Sequence, residues 1–291
     1  GFVSTGAVTI YRFCHIKQTP GLVLCTMDNL NKEEFQKFLD SQQYTRNGIL
    51  RYEKVFGRGF VSTGGKETTE MYAPLLKMKS GEYLLDVGCG IGGSAFHFVK
   101  SSGCKVLGVD LSQNMLDIGK ERAVESGVDV EFLLADATRD EIAAPATFDA
   151  VYSRDAILHI ADKVGLFKRM FNLLKPGGRL LITDYNRGPG ERSPEFEAYV
   201  KQRGYSLVTV EDYKQALVDA GFVNVTGTDN SETFMKVLER EISEMEANKD
   251  KFVEEFSQND YDYLMDGWKA KVGRCTSGDQ TWGLYTAEKP L

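Results

Sequence analysis

The stretch Tyr83-Leu-Leu-Asp-Val-Gly-Cys-Gly-Ile-Gly-Gly93 constrains the fold more than any other part of the chain. Its apolar residues around Asp86 read as a short buried strand, and the glycines that follow open a helix toward Lys100. Gly88, Gly90, Gly92 and Gly93 permit a tight turn and let the backbone approach a ligand without Cβ contacts. A glycine turn alone is weak evidence, because dinucleotide-binding and methyl-donor folds both use one. The context sharpens it. A second strand, Lys105-Val-Leu-Gly-Val-Asp110, ends in an acid about twenty residues past the glycines, placed to grip the two hydroxyls of a ribose. A third, Val130-Glu-Phe-Leu-Leu-Ala-Asp136, ends in another acid.

The pattern then repeats. Strand 83–87, helix 93–100, strand 105–110, helix 113–126 and strand 129–134 are followed by strand 148–152, helix 161–174 and strand 179–183. Alternation with short connections predicts an α/β chain with a Rossmann-like, doubly wound, mostly parallel sheet. Ligands in such sheets bind beyond the carboxyl ends of the strands. Asp86, Asp110, Asp136, Ser153 to His159 and Asp184-Tyr185 fall at those ends and are expected to share one pocket. After Tyr185 the alternation stops. Helices are expected over 194–203 and from a Thr209 cap to Ala220, a strand over 222–228, a long charged helical region over 231–274 and a closing strand over 282–287. Insertions of this kind suit an acceptor pocket.

Ahead of the first strand, helical patterns over 31–39, 49–56 and 67–77 flank a glycine-rich loop at 56–65, which predicts a helical lid over 31–80. Residues 31–291 then form one domain, and 1–30 stand apart. Gly1-Phe-Val-Ser-Thr-Gly6 recurs verbatim as Gly59-Phe-Val-Ser-Thr-Gly64, so 1–30 read as the remnant of a degenerate upstream copy. Gly1 in place of Met fits a longer parent chain. A net charge of −7 without a basic run argues against a nucleic-acid partner. No apolar stretch approaches the ~18 residues of a membrane span. Cys14, Cys25, Cys89, Cys104 and Cys275 are scattered and show no metal-ligand spacing. That favours a reduced, cytoplasmic enzyme with no disulfide framework and no metal site.

Asp86-x-Gly-x-Gly, Asp110, Asp136 and Leu174-Lys-Pro-Gly-Gly-Arg-Leu-Leu-Ile-Thr-Asp184 follow one another in order. That series resembles the motif set of class I S-adenosylmethionine-dependent methyltransferases. In such a site Asp110 takes the ribose, Asp136 with the Ala137 amide takes the adenine amine, and Asp86 faces the sulfonium end. The acceptor end is more specific. Tyr152-Ser-Arg-Asp-Ala-Ile-Leu-His159 lacks the Asn/Asp-Pro-Pro-aromatic run of nucleic-acid amino-methyltransferases. Arg203, Lys271 and the tyrosines 199 and 205 suit a phosphate dianion, although each cation taken singly also reads as a solvated helix face. His159 is the base suited to relay a proton from an amine, with Tyr44 reaching it from the lid and Asp155 holding the cationic amine.

Together with Gln43-Tyr44-Thr45, Tyr52-Glu53, Val61 to Gly65, Thr183-Asp-Tyr185 and Asp266 to Lys271, these segments resemble the phosphoethanolamine N-methyltransferases across residues 40–288. The resemblance implies that Val61, Ser62, Gly88, Asp110, Leu111, Asp136, Ala137 and Arg154 line the methyl donor, with Asp86 and Gly90 of the glycine turn beside them. It implies that Gln43, Tyr44, Tyr52, Asp155, Tyr185, Tyr199, Arg203, Tyr205 and Lys271 surround the phosphobase, with Tyr44 and His159 as the catalytic pair. S-adenosylmethionine is then the donor and S-adenosylhomocysteine the product, with no metal, no nucleic acid and a monomer expected. Nematode members divide the pathway, which implies phosphomonomethylethanolamine and phosphodimethylethanolamine as acceptors here and phosphocholine as the end product. Two alternatives stay open: a same-fold methyltransferase acting on a sterol or quinone, and a non-catalytic donor-binding regulatory module.

Overall fold

Seven strands form one sheet in the computed structural model, which describes residues 36, 37 and 39–291 and omits the side chains of Gln42 and Gln43. The helix start expected at Asn31, everything expected of residues 1–30 and the Gln43 side chain lie outside the described residues. β1 (Tyr83–Val87), β2 (Lys105–Asp110), β3 (Glu131–Leu134), β4 (Phe148–Arg154) and β5 (Leu174–Arg187) run parallel in the order β3-β2-β1-β4-β5. β7 (Gln280–Glu288) then slots antiparallel between β5 and β6 (Val223–Asp229). The expected doubly wound, mostly parallel sheet is the one observed.

The sheet divides the core into two layers, and side-chain alternation along each strand decides which layer a residue joins. Leu84, Tyr152 and Leu181 pack on one face with Phe98, Phe234, Trp268 and Trp282. Their neighbours Leu85, Val151 and Leu180 pack on the other with Leu166, Phe167, Tyr213 and Leu217. Burial on both faces explains why these strands read as continuous apolar runs.

α1 (Arg46–Phe56) and α2 (Gly65–Tyr72) precede β1, in the segment expected to be a lid. The helix expected over 67–77 changes to a 3-10 turn at Ala73–Leu76, where Pro74 has no N–H for a continued α-helical ladder. Buried Glu53 of α1 anchors the lid: it accepts from Arg122 at 2.6 and 2.8 Å and from the Gly59 amide at 2.8 Å. Arg122 belongs to α4 (Gln113–Ser126), which follows α3 (Gly93–Ser102). Asn114 Nδ2, also on α4, donates to the carbonyls of Asp40 and Tyr44 at 2.9 and 2.8 Å.

α5 (Lys163–Leu173), α6 (Pro194–Arg203) and α7 (Val210–Asp219) follow β4 and β5. α7 opens with a reciprocal Thr209–Asp212 capping box. The region expected to be helical over 231–274 is three helices, α8 (Ser231–Ala247), α9 (Lys249–Glu255) and α10 (Gln258–Thr276). Among the described residues no helix is long and apolar enough to cross a membrane, and no group of His, Cys, Asp and Glu could hold a metal ion.

Candidate active site

A cavity of about 630 Å³ opens at the carboxyl ends of β1, β2, β4 and β5, under α1, the 57–64 loop and α10. Its wall brings together Val61, Ser62, Asp86, Gly88, Gly90, Asp110, Leu111, Ala137 and Arg154 from the expected donor set. From the expected acceptor set it brings Tyr44, Tyr52, Asp155, His159, Tyr185, Tyr199, Arg203, Tyr205 and Lys271.

Three residues expected in this pocket are not on its wall: Asp136, Ser153 and Asp184. Ser153 is buried, its Oγ donating to Val87 O at 2.7 Å. Asp136 lines a small neighbouring pocket that shares Leu111 and Ala135 with this cavity. Its Oδ1 accepts from the Thr138 amide and hydroxyl at 2.9 and 2.6 Å, and its Oδ2 pairs with Arg139 at 3.0 Å. The neighbouring Ala137 is on the wall. Asp184 is also absent from it. That carboxylate is fully buried and accepts from the amides of Leu158 and Tyr185 and from the Tyr213 hydroxyl.

At the donor end the glycines are there for space. Gly88 and Gly90 have φ of +73° and +53°, and a Cβ would lie 2.3 Å from Ala156 Cβ in the first case and 2.7 Å from Val61 Cγ2 in the second. Asp110 Oδ2 accepts from the Gly90 amide at 2.9 Å and Oδ1 from the Ser112 amide at 3.0 Å, so each oxygen keeps a lone pair. Burial pushes its carboxyl up to about 6, against the pull of those amides. Asp86 is buried, and its Oδ2 has no hydrogen-bond partner among the described residues. Burial raises it to about 8, with the Asp110 charge adding and Arg154 opposing. A carboxylate in that position calls for a cation. Arg154 itself bolts the end of β4 to the lid, donating to Gly65 O at 2.8 Å, Thr69 Oγ1 at 2.6 Å and Thr63 O.

The acceptor end is cationic and hydroxyl-rich. Lys271 Nζ donates to the Tyr185 hydroxyl at 3.0 Å and lies 4.8 Å from the Trp268 ring centre. Tyr185 shares a further hydrogen bond with Thr63 Oγ1 at 3.1 Å. Arg203 sits 5.6 Å over the Tyr199 ring, and Tyr205 meets both Tyr199 and His159 edge-on, at 5.8 and 5.1 Å. Burial depresses Lys271 to about 8, with Glu241 opposing and Arg274 adding. Burial likewise depresses His159 to about 4, helped by Lys163 and Arg203, so its imidazole is neutral near pH 7. Asp155 holds a left-handed φ of +50°, rare outside glycine and a form of strain concentrated at functional sites. Its Oδ1 accepts from Trp282 Nε1 at 2.8 Å and Thr183 Oγ1 at 3.3 Å, while Oδ2 has no partner among the described residues.

A family model for a methyltransferase domain matches residues 84–178. Phosphoethanolamine N-methyltransferase 1 of Triticum aestivum is 51% identical over 267 residues, covering 92% of this chain and 53% of that protein. The chain thus spans about half the length of such relatives. Phosphoethanolamine N-methyltransferase of Plasmodium falciparum is 36% identical over 266 residues, and there the match covers 98% of that protein. This chain belongs to the phosphoethanolamine N-methyltransferase family. Among solved structures, phosphoethanolamine N-methyltransferase 2 of Haemonchus contortus, in complex with phosphomonomethylethanolamine and S-adenosylhomocysteine, superposes with a TM-score of 0.84 at 39% identity. That match covers 88% of this chain and 60% of the other.

In this phosphoethanolamine N-methyltransferase family member the cavity has wall residues that sequence reasoning missed: Arg51, Asp260, Tyr263, Trp268 and Arg274. All but Arg51 lie on α10, where Asp260, Leu264, Gly267, Lys271 and Arg274 recur at helical spacing along one stripe. Stepping by three and four from Lys271 was the signal that could have found them. Arg51 pairs with Asp260, joining the lid to α10. Arg274 stacks 3.7 Å from the Tyr199 ring centre and donates through Nε to Gln280 at 3.0 Å, adding a cation to the acceptor end.

Proposed function

We propose that this chain is an S-adenosylmethionine-dependent N-methyltransferase whose acceptors are phosphomonomethylethanolamine and phosphodimethylethanolamine, with phosphocholine as the end product. One observation carries the reading. A cationic, tyrosine-rich anion site, a carboxylate with an unpartnered oxygen and a neutral imidazole occupy the acceptor end of the cavity that holds the glycine turn and Asp110. The acceptor named in the Haemonchus complex supports the same class. The donor fits the other end: the orphan Asp86 Oδ2 suits a cationic ligand and the spare Asp110 lone pairs suit a ribose.

The donor, when bound, supplies a methyl group on a sulfonium sulfur. The chain's own residues prepare the amine. Lys271 and Arg203 hold the phosphate with charge-assisted hydrogen bonds. Asp155 holds the ammonium, and His159 takes its proton so that the nitrogen lone pair can attack. Lid residues around α1 exclude water from that end. A sterol or quinone would bring no anion to the cationic Arg203, Lys271 and Arg274, and a regulatory donor-binding module would have no use for the acceptor set. The free thiols Cys89, Cys104 and Cys275 suit a reducing, cytoplasmic setting.

The purified chain, given donor and each acceptor in turn, is expected to turn over the mono- and dimethylated phosphobases. Phosphoethanolamine should be about 10–200-fold poorer in kcat/KM, the range that one missing methyl group supplies. Robust turnover of phosphoethanolamine would overturn the choice of step. No turnover of any phosphobase, with a quinone or sterol accepted instead, would overturn the reading.

The acceptor end also has a pH signature. Lys271 is charged at pH 7 and loses its charge as pH rises through about 8. KM for the phosphobase is therefore expected to climb above that pH, by up to about tenfold per unit. Lys271→Arg should flatten the rise, because a guanidinium stays protonated. A KM that stays level in the unmutated chain across that range would remove Lys271 from the anion site.

A further inference from the structure

We propose that Lys163, which does not line the cavity, is a positioning residue for catalysis: its ammonium ties the turn carrying His159 to the segment carrying Tyr205. The inference rests on the phosphobase reading above and adds a residue to it. Lys163 opens α5 and is only 4% exposed. Its Nζ donates to Ile157 O at 3.2 Å, Ile160 O at 2.9 Å and Ser206 O at 2.9 Å. An ammonium has three protons, and here each has a carbonyl. Ile157 and Ile160 bracket His159 in its 3-10 turn (Ile157–His159), and Ser206 directly follows Tyr205. The Ser206 amide stitches the same segments again by donating to Leu158 O at 2.7 Å.

The opposite side of the turn is held as well. Asp184 accepts from the Leu158 amide at 3.2 Å and the Tyr185 amide at 3.0 Å. Lys163 therefore grips the carbonyls of the His159 turn while Asp184 grips one of its amides. Lys163 also fixes Ser206, next to the wall residue Tyr205, and Asp184 holds the amide of Tyr185 itself.

Stability alone does not account for a lysine here. The first turn of a helix favours acids, because the macrodipole is positive there. Burying an ammonium costs several kcal/mol; the three carbonyls and the charge of buried Asp184 offset part of that here, and a hydrophobic side chain of similar volume is often at least as stable. What the lysine adds is convergence: three carbonyls from two chain segments fixed on one point. That point sets the approach of the His159 ring to Tyr205, 5.1 Å between centres. Misplacement of a reacting group by about 1 Å can cost about 100-fold in rate.

The test is steady-state kinetics of Lys163→Met and Lys163→Arg with phosphomonomethylethanolamine, alongside donor calorimetry and thermal melting. In Lys163→Met, kcat is expected to fall about 10–100-fold with KM for the phosphobase raised, the usual cost of losing a supporting contact, even though removing its charge relieves part of the field that depresses His159. Donor affinity should stay within about twofold, since Lys163 touches nothing at that end. Lys163→Arg keeps the charge, but its planar fork does not converge on three carbonyls, so kcat should recover to within about 3–10-fold of the parent. A merely structural lysine would lower the melting temperature and leave kcat per folded molecule unchanged, and that result overturns the proposal. If Lys163→Met fails to fold, Lys163→Arg decides: parental kcat and KM in that variant overturn it. An unmutated chain inert on every phosphobase counts against the function itself, whereas an active parent with an indifferent Lys163→Met counts against this inference alone.

Discussion

Replacing His159 with Ala is expected to lower kcat by about 10²–10⁴-fold, the usual worth of general acid–base help. It should also change the shape of the pH–rate profile. An aliphatic ammonium near the lysine value of ~10.4 leaves fewer than about one molecule in a thousand neutral at pH 7. The amine must give its proton to the protein or be captured already neutral from solution. His159, depressed to about 4 by burial, Lys163 and Arg203, is an unprotonated acceptor across the neutral range. A phosphate dianion against Arg203 cancels part of that positive field and makes the imidazole a better base when the phosphobase is bound. With His159 in place, kcat at saturating phosphobase should vary little between about pH 6 and 9. Without it only the neutral amine reacts, and its fraction rises tenfold per unit below ~10.4, so the mutant's kcat should climb by that factor. A mutant profile parallel to the parent's would mean that His159 only positions the amine. The same test applies to the dimethylated acceptor, which also arrives protonated.

The second large effect is on donor binding. Asp110→Ala is expected to weaken donor affinity by ~1.5–3 kcal/mol, the range for hydrogen bonds to a charged group, or about 10–150-fold in Kd. The loss has two sources. The ribose loses its carboxylate, and the amides of Gly90 and Ser112 lose the acceptor that shapes the loops around it. Asp110→Asn separates them, because an amide oxygen keeps one backbone contact without the charge. Burial raises Asp110 to about 6, so the carboxylate form is present above that pH. Donor affinity in the unmutated chain should therefore fall as pH drops through about 6, and the Ala variant should lose this dependence. Calorimetry that finds equal affinity for parent and Ala variant at pH 7.5 would take Asp110 out of the site.

The donor half was legible in the sequence because its signals are local. Tyr83 to Gly93 carries strand, turn and helix start within one stretch, and Asp110 sits where the next strand stops. Asp136 at the end of the third strand shows the limit of that logic: it bonds within its own turn to Thr138 and Arg139 and lines a small pocket beside the cavity rather than its wall. β5 was expected to begin at Arg179. It begins at Leu174, which pairs with Phe148 through a register shift. The acceptor end is harder to read because its wall is assembled from distant elements. Arg51 meets Asp260 across 209 positions, and Glu53 meets Arg122 across 69. Arg274 looks like an ordinary helix-face cation until Tyr199 is placed beneath it.

The last strand carries an implication for how the protein is made. Trp282 on β7 supplies the indole N–H that Asp155 accepts, and it lies 127 positions downstream of that acid. β7 inserts between β5 and β6, both of which leave the ribosome earlier. A growing chain can therefore shape β1 to β4 long before β7 can complete the sheet. Bringing such distant segments together is entropically costly and slow. A chain cut short before Trp282 keeps its glycine turn and Asp110 but leaves Asp155 without its indole partner. Translation through that tryptophan supplies the last partner of Asp155.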